Sequence, residues 1–296
     1  MKPLFSGCGT ALVTPFKKDG EIDFECFIKL IEFQIDSGVD ALIISGTTGE
    51  GSTLTVEEKL QLFDLAVKTV NKRVPVIAGT GSNSTSFALN LAKEAEKCGI
   101  DAHLIVTPYY NKCSQKGVIE HYFTLADKLT KPVMVYNVPS RTGVNISPET
   151  YKSLSEHENI IGVKEADPDM GKLAKSIYLT EGKLTFYVGN DDLITVASSL
   201  GAKGVISVLS NIAPRFTSEM TKDAINGNIK ESGNMQKNAM ALINALFSDV
   251  NPMPIKEAMG YLGFCNSTMR LPLCSMSPSL REKLIGILEE YKSVIY

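Results

Sequence analysis

The run Ile160-Ile161-Gly162-Val163 ends on Lys164 and Glu165. A charged amine at the end of a buried apolar run is costly, so a lysine there invites chemistry. A neutral lysine amine adds to a carbonyl carbon to form a Schiff base, and desolvation favours the neutral form of a lysine. The competing reading is structural, with Lys164 paired to Glu165 or Asp167. Strand alternation sends Glu165 to the opposite face, which weakens direct pairing. Tyr136 ends the preceding apolar run, Pro132 to Val135. Its hydroxyl could pass protons between a lysine adduct and a substrate; equally, it could cap a core. Gly46-Thr47-Thr48-Gly49 leads into a helix. Its N–H groups and the hydroxyls of Thr47 and Thr48 suit a carboxylate, although an ordinary turn has the same composition, and the phosphate-loop pattern is absent. Arg141 carries a fork that matches a carboxylate, and it could also be one more surface arginine. Gly79-Thr80-Gly81 reads as a tight turn.

These residues sit at the ends of regularly spaced elements. Eight nearly continuous apolar runs recur: Thr10–Val13, Ala41–Ile44, Val74–Ala78, Ala102–Val106, Pro132–Tyr136, Ile160–Val163, Leu184–Val188 and Gly204–Val208. Such runs are expected of parallel strands covered on both faces. Helical patterns alternate with them, among them Phe24 to Ile31, Lys59 to Val67 behind a Thr55 cap, Ser84 to Cys98 and Gly117 to Leu129. Asp167 and Pro168 read as the cap and first residue of another helix. Eight alternations predict an α/β fold of the (β/α)8 TIM-barrel type. A doubly wound sheet is the competitor, and no G-x-G-x-x-G follows the first strand. After about Pro214 the strands stop. Helical patterns at Met220–Ile229, Met235–Phe247, Lys256–Gly263 and Pro278–Tyr291 predict a C-terminal extension. The expected division is a barrel over residues 1–224 and a helical extension over 225–296. In a TIM barrel the C-terminal strand ends carry the site, which is where Thr47, Tyr136, Arg141 and Lys164 fall.

Composition narrows the function. The chain has 296 residues, 44% of them hydrophobic, and a formal net charge of -3. No basic run argues for nucleic acid. The N-terminal stretch lacks the pattern of a secretory signal, and no apolar stretch is long enough for a membrane span. The six cysteines form no C-x-x-C pair and read as reduced thiols of a cytoplasmic protein. The three histidines are scattered, so no histidine metal site is expected, while oxygen ligands stay open.

GTTGE (Gly46 to Glu50), TPYY (Thr107 to Tyr110), YNVPSRTG (Tyr136 to Gly143), GVKEA (Gly162 to Ala166) and NPMPIK (Asn251 to Lys256) occur in order along nearly the whole chain. Together they resemble the dihydrodipicolinate synthase (4-hydroxy-tetrahydrodipicolinate synthase) family. The resemblance implies a cofactor-free, metal-independent lyase that condenses pyruvate with L-aspartate 4-semialdehyde. It implies Lys164 as the imine-forming residue and Tyr136, Thr47 and Tyr110 as a proton relay. Thr47 and Thr48 would hold the pyruvate carboxylate, Arg141 the carboxylate of the second substrate, and Gly189 and Ile206 would line the pyruvate pocket. Tyr110 would reach into a neighbouring subunit, which implies a homo-oligomer, a tetramer of tight dimers. The rival is a sister aldolase for sugar acids, of the N-acetylneuraminate lyase or keto-deoxy-gluconate aldolase kind; the arginine of SRTG resembles the synthase pattern. A non-catalytic relative would be expected to lose Lys164, Tyr136 or the threonines. Lysine-inhibited relatives carry histidines where this chain has Val56 and Lys59, and a glutamate where it has Phe87. Asn83 and Tyr109 match, but the three differences imply insensitivity to L-lysine.

Overall fold

The computed structural model describes residues 3–295. Eight parallel strands close in chain order, β1 pairing with β8. They are β1 (Gly7–Ala11), β2 (Ala41–Ile44), β3 (Val76–Gly79), β4 (Ala102–Val106), β5 (Val133–Asn137), β6 (Ile160–Glu165), β7 (Thr185–Val188) and β8 (Gly204–Ser207). The helices through the barrel are α1 (Phe24–Asp36), α2 (Val56–Val70), α3 (Thr85–Lys97), α4 (Gln115–Ala126), α5 (Pro139–Thr142), α6 (Pro148–Leu154), α7 (Met170–Thr180), α8 (Ile194–Ser199) and α9 (Pro214–Ile225). Then follow α10 (Ile229–Leu246), α11 (Met253–Tyr261), α12 (Pro278–Glu290) and α13 (Lys292–Ile295). This is the expected TIM barrel with helices after it.

The first strand begins earlier than its apolar signal. Gly7 and Gly9 carry no side chain to read, yet they close the barrel. Gly7 pairs with Gly204, and a Cβ on Gly204 would lie 2.0 Å from the Gly7 carbonyl oxygen. Only glycine allows β1 and β8 to approach that closely. The helix after β6 also differs from expectation. Asp169, not Asp167, caps α7, its carboxylate accepting from the Lys172 N–H at 2.9 Å. Asp167 is occupied elsewhere, by the side chains of Asn145 and Lys172. Helix α9 starts at Pro214, a favoured first helical residue, rather than at Met220.

Two apolar layers hold the barrel. Phe5, Ile43, Leu104, Met134 and Ile206 belong to the interior cluster, together with Tyr136 and Tyr187. Outside it, Leu242 and Ile243 of α10, Ile255 and Met259 of α11 and Leu284 of α12 join Leu42 and Ile44 of β2 in one buried cluster. The helices after residue 225 therefore share one buried cluster with the first strands, and Asn251 and Lys256 bring this part of the chain to the GTTGE turn.

Candidate active site

Lys164 points into the barrel and is only 6% exposed. Its register partners are Tyr136 on β5 and Tyr187 on β7. The amine lies 4.5 Å from the centre of the Tyr136 ring and makes no hydrogen bond or ion pair among the described residues. A ring face attracts an ammonium group without accepting a conventional hydrogen bond from it, and the buried Asp191 carboxylate acts on Lys164 only at longer range. Tyr187 stacks on Phe5 at 4.2 Å and donates to the Phe5 carbonyl at 2.7 Å, which fixes the wall on the other side. A Cβ on Gly189 would fall 3.0 Å from Lys164 Cε and 2.9 Å from Ala166 Cβ. Gly189 thus leaves the lysine stem its room. Ile206 is fully buried in the same interior.

The pairing of Lys164 with Glu165 or Asp167 is not what the structure has. Glu165 faces outward from the barrel, as strand alternation requires, and is buried there. It accepts from Asn137 Nδ2 at 2.7 Å, the Tyr151 hydroxyl at 2.7 Å and the Asp167 N–H at 2.9 Å. Its cation is Lys172, at 3.7 Å, which also binds Asp167 at 2.9 Å. Burial raises the Glu165 carboxyl, with Lys172 and these hydrogen bonds opposing it. Asp191, just after β7, is likewise raised by burial; it accepts from the Val208 and Leu209 N–H groups at 3.0 and 2.9 Å.

The GTTGE turn is built around Ser45, whose φ is 60°. Added Cβ atoms on Gly51 and Gly79 would lie 2.1 and 2.4 Å from the Ser45 carbonyl oxygen. Gly79 is therefore needed for close approach to this turn, not for a turn of its own. The N–H groups of Thr47 and Thr48 make no hydrogen bond among the described residues, while those of Glu50 and Gly51 close onto Thr47 and Gly46. That leaves donors for an anion. The Thr48 hydroxyl is engaged: it accepts from Asn251 Nδ2 at 3.1 Å. Glu50 leaves the turn inward and meets Lys256 at 2.7 Å, both side chains fully buried. Lys256 also donates to the Thr14 carbonyl at 2.8 Å, and Glu50 accepts from the Arg270 N–H at 3.0 Å. Arg270 in turn forks onto Glu58 at 2.7 and 2.6 Å. This arginine holds the Glu58 carboxyl below its usual range.

A cavity of about 1320 Å³ opens above these groups, lined among others by Thr47, Tyr136, Arg141, Tyr110 and Lys112. Arg141 sits on α5, exposed, and donates to the Asn251 carbonyl at 2.9 Å. Its other guanidinium nitrogens make no hydrogen bond among the described residues. Tyr110 stands apart: it is 90% exposed, has a φ of 72° and gives its hydroxyl no partner among the described residues. The structure thus gathers Lys164, Tyr136, Gly189 and Ile206 in the barrel interior. It places Thr47 and Arg141 at the cavity wall, Thr48 behind the turn and Tyr110 at the rim. Sequence reasoning singled out NPMPIK but gave Asn251 and Lys256 no role. The signal for Lys256 was a lysine among apolar neighbours, Pro254, Ile255, Ala258 and Met259. Among the described residues no three His, Cys, Asp or Glu side chains gather as a metal site would need, and no helix is long and apolar enough to cross a membrane.

Known proteins resemble this chain along nearly all of its length. A 4-hydroxy-tetrahydrodipicolinate synthase of Lachnoclostridium phytofermentans is 50% identical over 274 residues, 92% of this chain and 93% of that one. The crystal structure of dihydrodipicolinate synthase from Aquifex aeolicus superposes with a TM-score of 0.95 at 41% identity, covering 98% of this chain and 99% of that one. The chloride-inhibited dihydrodipicolinate synthase from Acinetobacter baumannii, complexed with pyruvate, gives 0.96 at 40% identity over 98% and 99% of the two chains. Residues 4–291 match the dihydrodipicolinate synthetase family as a whole, and the chain belongs to that family.

Proposed function

We propose that this lyase condenses pyruvate with L-aspartate 4-semialdehyde through an imine at Lys164, giving 4-hydroxy-tetrahydrodipicolinate for lysine and diaminopimelate biosynthesis. The observation that carries this reading is a buried lysine amine with no hydrogen bond or ion pair among the described residues, set against Tyr136 inside a barrel of this family. The amine adds to the ketone carbon of pyruvate, and loss of water leaves the imine. Removal of a methyl proton gives the enamine, whose carbon attacks the aldehyde. The amino group of the second substrate then displaces Lys164 and closes the ring. Tyr136, Thr47 and Tyr110 carry the protons. The free N–H groups of Thr47 and Thr48 receive the pyruvate carboxylate, Gly189 and Ile206 bound its pocket, and Arg141 receives the carboxylate of the aldehyde substrate.

Tyr110 reaches another subunit in a homotetramer built from tight dimers. Its 90% exposure, and exposed Tyr178 on α7, Val196 on α8 and Leu200 just after α8, support association. The enzyme works in the cytoplasm. Borohydride treatment with pyruvate is expected to leave a covalent adduct on Lys164. Turnover is expected with aspartate semialdehyde and not with N-acetylmannosamine. The reverse preference would move the assignment to a sugar-acid aldolase, and sedimentation of a fully active monomer would remove the shared-site role of Tyr110.

A further inference from the structure

Behind the barrel wall, the residues that follow Tyr136 and Lys164 are tied to each other. Asn137 and Glu165 are register partners on β5 and β6, and the Asn137 amide donates to Glu165 at 2.7 Å. The register of these two strands is irregular near its start: Val133 pairs with Ile160 but Met134 with Gly162. A strand pair with such a bulge has another register close at hand, and a one-residue slip would turn every side chain to the other face. The Asn137–Glu165 bond lies downstream of the bulge, on the side away from substrate.

The tie extends outward. Asn137 Nδ2 also donates to Asn145 at 2.9 Å, and its Oδ1 accepts from the Ile146 N–H at 3.2 Å. Asn145 donates to Asp167 at 2.6 Å, and Lys172 bridges Asp167, Glu165 and Asn145. Tyr151 of α6 closes the cluster on the second oxygen of Glu165. The segment that carries Arg141 is thereby anchored, through Asn137 and Asn145, to the strand that carries Lys164.

We propose that Glu165, with Asn137 and Tyr151, is a positioning clamp that sets the Tyr136–Lys164 spacing from outside the barrel. The proposal rests on the imine reading of Lys164. A buried carboxylate satisfied by so many partners is costly to place, and its position one residue from the reacting amine gives it that use. Misplacement by about 1 Å costs roughly a hundredfold in rate.

The test compares Glu165→Ala, Glu165→Gln and Tyr151→Phe by the rate of borohydride-trapped pyruvate adduct per folded protein, with kcat and the aldehyde KM measured alongside. Glu165→Ala is expected to slow adduct formation and kcat about ten- to a hundredfold and to leave the aldehyde KM unchanged. Glu165→Gln is expected to restore the rate. Its amide oxygen keeps the Asn137 and Asp167 N–H groups, its NH2 can donate to the Tyr151 oxygen, and Lys172, 3.7 Å from the replaced oxygen, keeps Asp167 and Asn145. Tyr151→Phe removes one hydroxyl without changing the packing, is expected to fold whether or not Glu165→Ala does, and should show a severalfold loss. Folded Glu165→Ala or Tyr151→Phe forming the adduct at the wild-type rate would overturn the clamp. So would Glu165→Gln no faster than Glu165→Ala, since charge rather than geometry would then govern. Failure of the wild type to trap pyruvate at Lys164 would instead overturn the imine reading, and the clamp with it.

Discussion

Two buried lysines sit over aromatic rings in this protein. Lys164 lies 4.5 Å from the Tyr136 ring and Lys256 lies 4.3 Å from the Phe16 ring. Lys256 has everything a buried cation needs: the Glu50 carboxylate at 2.7 Å and the Thr14 carbonyl at 2.8 Å. Burial pulls its amine down, and Glu50 pushes it back. Lys164 has the ring and, at longer range, the buried Asp191 carboxylate, with no hydrogen bond or ion pair among the described residues. The chain satisfies one lysine completely and leaves the other unsatisfied, so burial does not distinguish a structural lysine from a reactive one. The count of partners does. Lys256 is engaged by a carboxylate and a carbonyl, whereas Lys164 makes no hydrogen bond among the described residues and, on the imine reading, is the one left to meet a carbonyl carbon.

The largest expected effect separates the two outright. Lys164→Ala should abolish the trapped pyruvate adduct and lower turnover by at least about a thousandfold. Its stability to urea should stay within about 1 kcal/mol of wild type, and an active, stable Lys164→Ala enzyme would break the contrast. Lys256→Met should do the opposite. It strands Glu50 without its ammonium partner, and unfolding in urea should show a loss of about 3–5 kcal/mol. The protein that remains folded should still trap pyruvate. Adding Glu50→Gln to Lys256→Met should recover part of the loss, since removing both charges of a buried pair is far milder than removing one.

Arg141→Ala should act on the second substrate alone. Loss of a charge-assisted carboxylate contact costs about 1.5–3 kcal/mol, roughly ten- to a hundredfold in kcat/KM for the aldehyde, with the pyruvate adduct unaffected. Failure of pyruvate trapping instead would reassign Arg141. The smallest effect concerns Lys59, intermediate between the two buried lysines. Burial lowers its amine, and no carboxylate pairs with it among the described residues. It lines the cavity beside Phe87, Asn83 and Tyr109. A cationic amino acid arriving there meets a like charge, and Phe87 offers it no acceptor. L-Lysine at fixed, subsaturating pyruvate should leave the initial rate unchanged; inhibition at sub-millimolar lysine would show that other residues rebuild an effector site.

The barrel was legible because parallel strands buried on both faces write themselves as apolar runs, and Lys164 was legible because it breaks one. Its freedom from Glu165 also followed from alternation along β6. What stayed hidden depends on contacts between distant residues or on atoms a sequence does not display. Gly7 and Gly9 have no side chain to signal a strand. Asp167 has the look of a helix cap and is drawn off by Asn145 and Lys172. Asn251 reaches both Thr48 and Arg141 only because a helix far along the chain docks beside the first strands. Glycine at 79 could be read as a turn former, and only the nearby Ser45 carbonyl reveals that it is there for space.

The pairing of Glu50 with Lys256 spans 206 residues, and this has a consequence for the order in which the enzyme matures. A ribosome adds about 5–20 residues per second, so Glu50 is made about 10–40 s before its counter-charge. During that interval the nascent chain can pair its early strands and wind its early helices. The turn that carries Thr47 and Thr48, however, still encloses an acid with no ammonium partner. The segment made nearly last completes the loop made nearly first, and a chain released short of Lys256 would carry all eight strands with the turn after β2 still unfinished.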